Sequence, residues 1–100
     1  MDKQQAIDIA KRFSEAAKLS FPVEKIILFG SHAKGTAHSD SDLDIAVIIK
    51  DESDKQSVDL GLWKLGFKLD SRIEPYTIFH SDFDPASPLV FEIQKFGITV

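Results

Sequence analysis

An apolar run that stops at Gly30-Ser31 and restarts, ten residues later, at Asp42-Leu43-Asp44 constrains this chain more than any other feature. Ile26-Ile27-Leu28-Phe29 is apolar and strand-like, and Leu43, Ile45, Val47 and Ile49 alternate at the period of a second strand. The serine therefore stands at the end of one strand and both aspartates at the start of the next. Side chains at i and i+2 of a strand point the same way, so Asp42 and Asp44 are expected on one face.

Those residue types suit one chemistry. Glycine permits backbone torsions that a Cβ penalises and lets the main chain come close to a bulky group. Beside it, a serine hydroxyl and backbone N–H groups can bond phosphate oxygens, more so where a helical turn begins. Two neighbouring carboxylates repel one another, and a hard divalent cation relieves that repulsion. Mg²⁺ takes a few carboxylate oxygens together with water and substrate phosphate. A pair of ions about 3.5–4 Å apart activates the attacking oxygen and stabilises the leaving one. The plainer alternative is a solvated polar turn, Asp40-Ser41-Asp42-Leu43-Asp44, leading into an ordinary strand. A calcium loop is excluded, because its sixth place holds Ile45 instead of Gly and its twelfth holds Asp51 instead of Glu.

Around this segment the pattern predicts one small α/β (α+β) domain spanning 1–100, a small mixed sheet packed with helices. A helix is expected over about 3–19, with Ala6, Ile9, Ala10, Phe13 and Ala17 on one face and Asp2 with Gln5 at capping-box spacing. Phe21-Pro22 ends it and leads into strand 24–29. After strand 43–49, Ser53 with Gln56 marks a cap, and Val58, Leu62, Leu65 and Leu69 mark a helix over about 54–69. Gly61 and Gly66 within it point to close packing against the sheet. Strand 72–79 follows, and a short last helix runs from Ser87 as N-cap and Pro88 to Gly97. The long helix between the second and third strands is a crossover of the kind that makes such a pair parallel.

With 43% hydrophobic residues and eight phenylalanines, the chain has the material for one core. It has no cysteine, which excludes disulfides and thiolate zinc sites. The polar start, Met1-Asp2-Lys3-Gln4-Gln5, lacks a signal peptide's apolar region, and no stretch nears the roughly 20 apolar residues of a membrane span. A cytoplasmic protein with no membrane association is expected. The net charge of −4 argues against a sequence-independent grip on nucleic acid.

The segment Gly30-Ser31-His32-Ala33-Lys34-Gly35 through Ser41-Asp42-Leu43-Asp44-Ile45-Ala46-Val47 resembles the signature of the minimal nucleotidyltransferases, the smallest members of the DNA polymerase β-like nucleotidyltransferase superfamily. The resemblance implies the polymerase β-like fold, a Gly30-Ser31 turn that holds a nucleoside triphosphate, and Asp42 and Asp44 as ligands of Mg²⁺, with two ions in a full site. It also implies a third carboxylate on a later strand. Glu74, in Ser71-Arg72-Ile73-Glu74-Pro75-Tyr76, takes that place, where the family usually has aspartate. Stand-alone members are commonly encoded beside small helical HEPN proteins, often ribonuclease toxins, to which they attach AMP as antitoxins. The resemblance therefore implies an ATP-using protein adenylyltransferase of a toxin–antitoxin pair. A binding module that neutralises its partner by contact, and a small-molecule transferase of the antibiotic-modifying kind, are the alternatives.

Lys34, three residues past Ser31, is placed to meet phosphate charge or to be an ordinary solvated lysine; family members commonly carry arginine there, with a fork geometry that lysine lacks. His32 and His38 flank the turn, while His80 is expected to be structural or exposed; none joins the catalytic set, nor does Asp40. Leu60, Trp63 and Phe67 form a second apolar stripe on the 54–69 helix. A wide buried face is the expected reading, and a partner or dimer interface the functional one.

Overall fold

The computed structural model describes all of residues 1–100. Helix α1 (Lys3–Ser20) starts in a full capping box, in which Asp2 Oδ1 accepts from the Gln5 N–H at 2.8 Å and the Asp2 N–H donates to Gln5 Oε1 at 2.9 Å. Strand β1 (Val23–Phe29) runs into a single helical turn, α2 (Ser31–Lys34), and a loop then leads to β2 (Leu43–Ile49). Helix α3 (Lys55–Leu69) crosses to β3 (Ile73–Phe79), a 3₁₀ turn follows at His80–Asp82, and α4 (Pro88–Phe96) ends in the two-residue strand β4 (Ile98–Thr99).

The four strands form one mixed sheet in the order β3-β2-β1-β4. Strand β1 is antiparallel to β2 and β4, and β2 is parallel to β3, as the crossover helix predicts. The expected α/β class and mixed sheet are thus present. One face of the sheet packs against α1 and α3 through Phe13, Ile26, Leu28, Ile45, Val47 and Leu62, all fully buried. The opposite face carries the smaller cluster of Ile27, Phe29, Ala46, Ile48 and Ile78 under Ile93 of α4.

Several expectations are corrected. The N-cap of α3 is Asp54, whose carboxylate accepts from the Ser57 N–H, one residue on from the Ser53–Gln56 pairing. A carboxylate there also suits the positive end of the helix dipole. Gly66 does admit the sheet, with Ile73 and Phe13 filling the space a Cβ would take, but Gly61 faces the ring of Phe21 at the end of α1. The Leu60-Trp63-Phe67 stripe is not buried: these side chains are 57%, 42% and 72% exposed, because the Val58-Leu62 side of α3 faces the sheet. Turn α2 and strand β4 were not expected as separate elements. Ser87 caps α4 in position only, without a side-chain hydrogen bond, and Gly97 follows as predicted.

Candidate active site

The site is built where three strands meet. Parallel register sets Asp44 of β2 beside Glu74 of β3, and antiparallel register sets Asp44 beside Phe29 of β1, the residue before Gly30. The turn and two carboxylates therefore form a row across adjacent strands. A backbone hydrogen bond from the Leu43 N–H to the Arg72 carbonyl, 2.8 Å, pins the start of β2 to the approach of β3. Arg72 is braced in turn by a bidentate pair with Asp70, at 2.9 and 2.7 Å, which holds that carboxyl below the usual range.

Gly30 sits at φ 75°, ψ −154°, a conformation that L side chains rarely adopt. An added Cβ would also collide with Oδ2 of Asp44. The sequence suggested that glycine makes room for a ligand; in the structure the neighbour it admits is the aspartate. After it, α2 closes with Gly35 in the left-handed region, φ 80°, ψ 18°.

Asp42 is exposed just ahead of β2, whereas Asp44 and Glu74 are half-buried. Burial, followed by the charges of Glu74 and Asp42, pushes Asp44 up to about 6. Glu74 is raised as well, first by burial and then by Asp42. The Tyr76 hydroxyl donates to Glu74 Oε1 at 3.3 Å, and burial, followed by the charges of Asp44 and Glu74, raises the phenol to about 12. Its ring packs edge-on against Phe29, with centroids 5.0 Å apart. Tyr76 thus stays protonated and serves as a donor. Sequence reasoning missed it, although its i+2 spacing from Glu74 was a usable signal.

The three carboxylates do not by themselves close into a preformed metal cage. Their donor chemistry nevertheless fits Mg²⁺: all are hard oxygen ligands, and mutual repulsion within a partly desolvated cluster is what a divalent cation relieves. The site is an open edge. The larger surface concavities lie elsewhere, beside Met1, Ile9 and Arg72 and along α3.

The remaining predicted residues divide. Ser31 follows Gly30 as the first residue of α2. Lys34, at the end of that turn, pairs with Glu92 of α4, and its ammonium lies 4.9 Å from the centre of the Phe96 ring. Glu92 is a second residue that the sequence did not signal. His32 is buried with Nε2 3.3 Å from the Ser41 carbonyl, so it helps hold the loop together. His38 is exposed, and His80 meets Glu24 at the surface.

The chain is similar to several known proteins. Over 52 residues the chain is 40% identical to the protein adenylyltransferase MntA of Shewanella oneidensis strain MR-1, a match covering 52% of this chain and 34% of that protein. The match thus spans about a third of that curated relative's length. A candidate nucleotidyltransferase from Sulfolobus solfataricus shares the fold at a TM-score of 0.67 and 19% identity, over 97% of this chain and 80% of that one. A toxin–antitoxin structure with AMP-PNP superposes at 0.58 and 24% identity, and a mutant MntA–HpeT toxin–antitoxin structure at 0.57 and 21%. Each of these two covers 99% of this chain and 72% of the other. The family model of the nucleotidyltransferase domain matches residues 8–96, nearly the whole chain, and this protein belongs to that family.

Proposed function

We propose that this chain is a Mg²⁺-dependent adenylyltransferase that moves AMP from ATP to a hydroxyl of a partner protein, a small helical HEPN-type toxin for which it is the antitoxin. The observation that carries the reading is the row formed by Gly30 just past the end of β1, Asp44 on β2 and Glu74 on β3, with Asp42 at its rim. The partial match to a protein adenylyltransferase, and fold likeness to toxin–antitoxin structures, support the acceptor class.

In this mechanism Gly30 and Ser31 hold the β- and γ-phosphates, and Asp42, Asp44 and Glu74 are the residues that would hold Mg²⁺, two ions in a full site. Bound Mg²⁺ would supply neutralisation of phosphate charge and polarisation of the reacting phosphoryl group. Glu74 takes the proton of the acceptor hydroxyl. The hydroxyl oxygen bonds to the α-phosphorus as its bond to the β-phosphate bridge breaks, and pyrophosphate leaves. Tyr76 steadies Glu74 by its hydrogen bond. Positioning and fixed charge carry most of the acceleration in such transfers.

A second reading draws on the exposed Leu60-Trp63-Phe67 stripe, an unpartnered apolar face suited to protein contact. There the chain neutralises its partner by binding alone. Incubation with ATP, Mg²⁺ and the product of the adjacent gene, followed by intact mass of that product, separates the two. A gain of one or more AMP units, lost with Asp42→Asn, is the result expected of the enzyme. A stable complex with no gain favours the contact module.

A further inference from the structure

Lys34 ends the turn that Gly30 and Ser31 open, yet its ammonium is engaged by α4. Glu92 supplies the counter-charge and Phe96 an aromatic seat at 4.9 Å. Both members of the ion pair are about one-third exposed, at 34% and 36%, so water competes for them and the pair is readily exchanged. A triphosphate arriving at Gly30-Ser31 would meet two opposed charges on one pair: a lysine it attracts and a glutamate it repels.

We propose that Glu92 is a positioning residue that gates Lys34, holding its ammonium on α4 in the nucleotide-free protein and yielding it to the phosphates of an incoming nucleoside triphosphate. The inference rests on the nucleotide-binding reading above and extends it to α4. Phosphate oxygens carry more negative charge than one carboxylate and offer several acceptors, so the exchange runs toward the ligand. The Phe96 face lets the ammonium leave Glu92 without losing every favourable contact at once. Because α4 contributes only Val90 and Ile93 to the buried interior, this exchange needs no rearrangement of the core.

The test is a double-mutant cycle on binding. Titration calorimetry with a non-hydrolysable ATP analogue and Mg²⁺ would be run on the wild type, Glu92→Gln, Glu92→Asp, Lys34→Met and the double variant. Glu92→Gln should bind roughly two- to fivefold tighter, the worth of a partly exposed ion pair. Glu92→Asp should return toward wild type, and the gain should vanish when Lys34 is methionine. An equal gain in the Lys34→Met background would show mere charge repulsion and overturn the gate, as would weaker or unchanged binding by Glu92→Gln. Absence of binding by the wild type refutes the nucleotide reading itself, and the gate with it.

Discussion

On one face of the sheet α1 and α3 cover Leu43, Ile45, Val47 and Ile49 completely, while on the other α4 and Phe83 pack over the cluster that holds Ala46 and Ile48 and leave Asp44 at the rim. The same strand supplies both sets, because alternate side chains point to opposite faces. The first face is where burial accumulates. The second has a short helix, a smaller cluster and, beyond the end of its cover, three carboxylates that repel each other. Stability and site are thus divided by strand parity, and a substitution should report which side it touches.

The largest test is Phe13→Ala. Phe13 is fully buried and reaches Gly66 of α3, so its loss removes the bridge between the two covering helices. Destabilisation of about 3–5 kcal/mol is expected, a large share of a small domain's total. Urea denaturation would measure it. A loss below about 1 kcal/mol would mean that this face is not the main store of stability.

Asp44→Asn is the counterpart on the other face. Transfer should fall by at least about 10²–10³-fold, the scale of losing one preorganised charged group. Stability without metal should hold or rise, since the amide removes a carboxylate that its neighbours repel. Retention of full Mg²⁺-dependent transfer would falsify the assigned role. A protein that instead unfolds would place Asp44 among the structural residues and break the division by face.

Much of this division was legible in the chain. The period-two pattern of Leu43 to Ile49 fixes which side chains share a face, and it separates Asp44 from the apolar residues on either side of it. The capping pair Asp2 and Gln5 and the crossover between β2 and β3 were equally visible, because local spacing determines them. Elements of two or four residues, such as β4 and α2, are too short to display a period. The exposure of Trp63 was hidden for another reason. Helix α3 carries two apolar stripes, and spacing alone does not say whether the sheet takes one or both. Glu92 was beyond reach: it meets Lys34 across 58 positions of sequence, and only the fold brings them together.

The acidic face should also respond to pH. Folding raises Asp44 from 3.8 to about 6, so the folded protein binds this proton more tightly than the unfolded chain. Its contribution is therefore greatest below about pH 4 and is lost as pH rises through 6; Glu74 acts in the same direction. At this half-buried position the loss should be no more than about 1–2 kcal/mol after solvent screening. Asp70, held low by Arg72, works oppositely and weakens the fold only in more acidic solution. Melting temperatures in EDTA should accordingly decline between pH 4 and 7, and saturating Mg²⁺ should reverse the decline at pH 7. An identical profile in Asp44→Asn would show that the effect arises elsewhere.

The smallest contrast lies at the helix starts. Helix α1, on the stable face, is fixed by reciprocal hydrogen bonds between Asp2 and Gln5, whereas Ser87 begins α4 without a side-chain bond. Removing an N-cap side chain costs in proportion to the orphan N–H groups it satisfies. Asp2→Ala should therefore cost about 1 kcal/mol, and Ser87→Ala only a few tenths. Pro88 preserves the start of α4 in either case, because its fixed φ suits the first helical position and it has no N–H to satisfy. Paired thermal melts would measure the difference. Equal losses would mean that Ser87 makes its cap in solution, and that α4 is held over the site as firmly as α1 is held over the core.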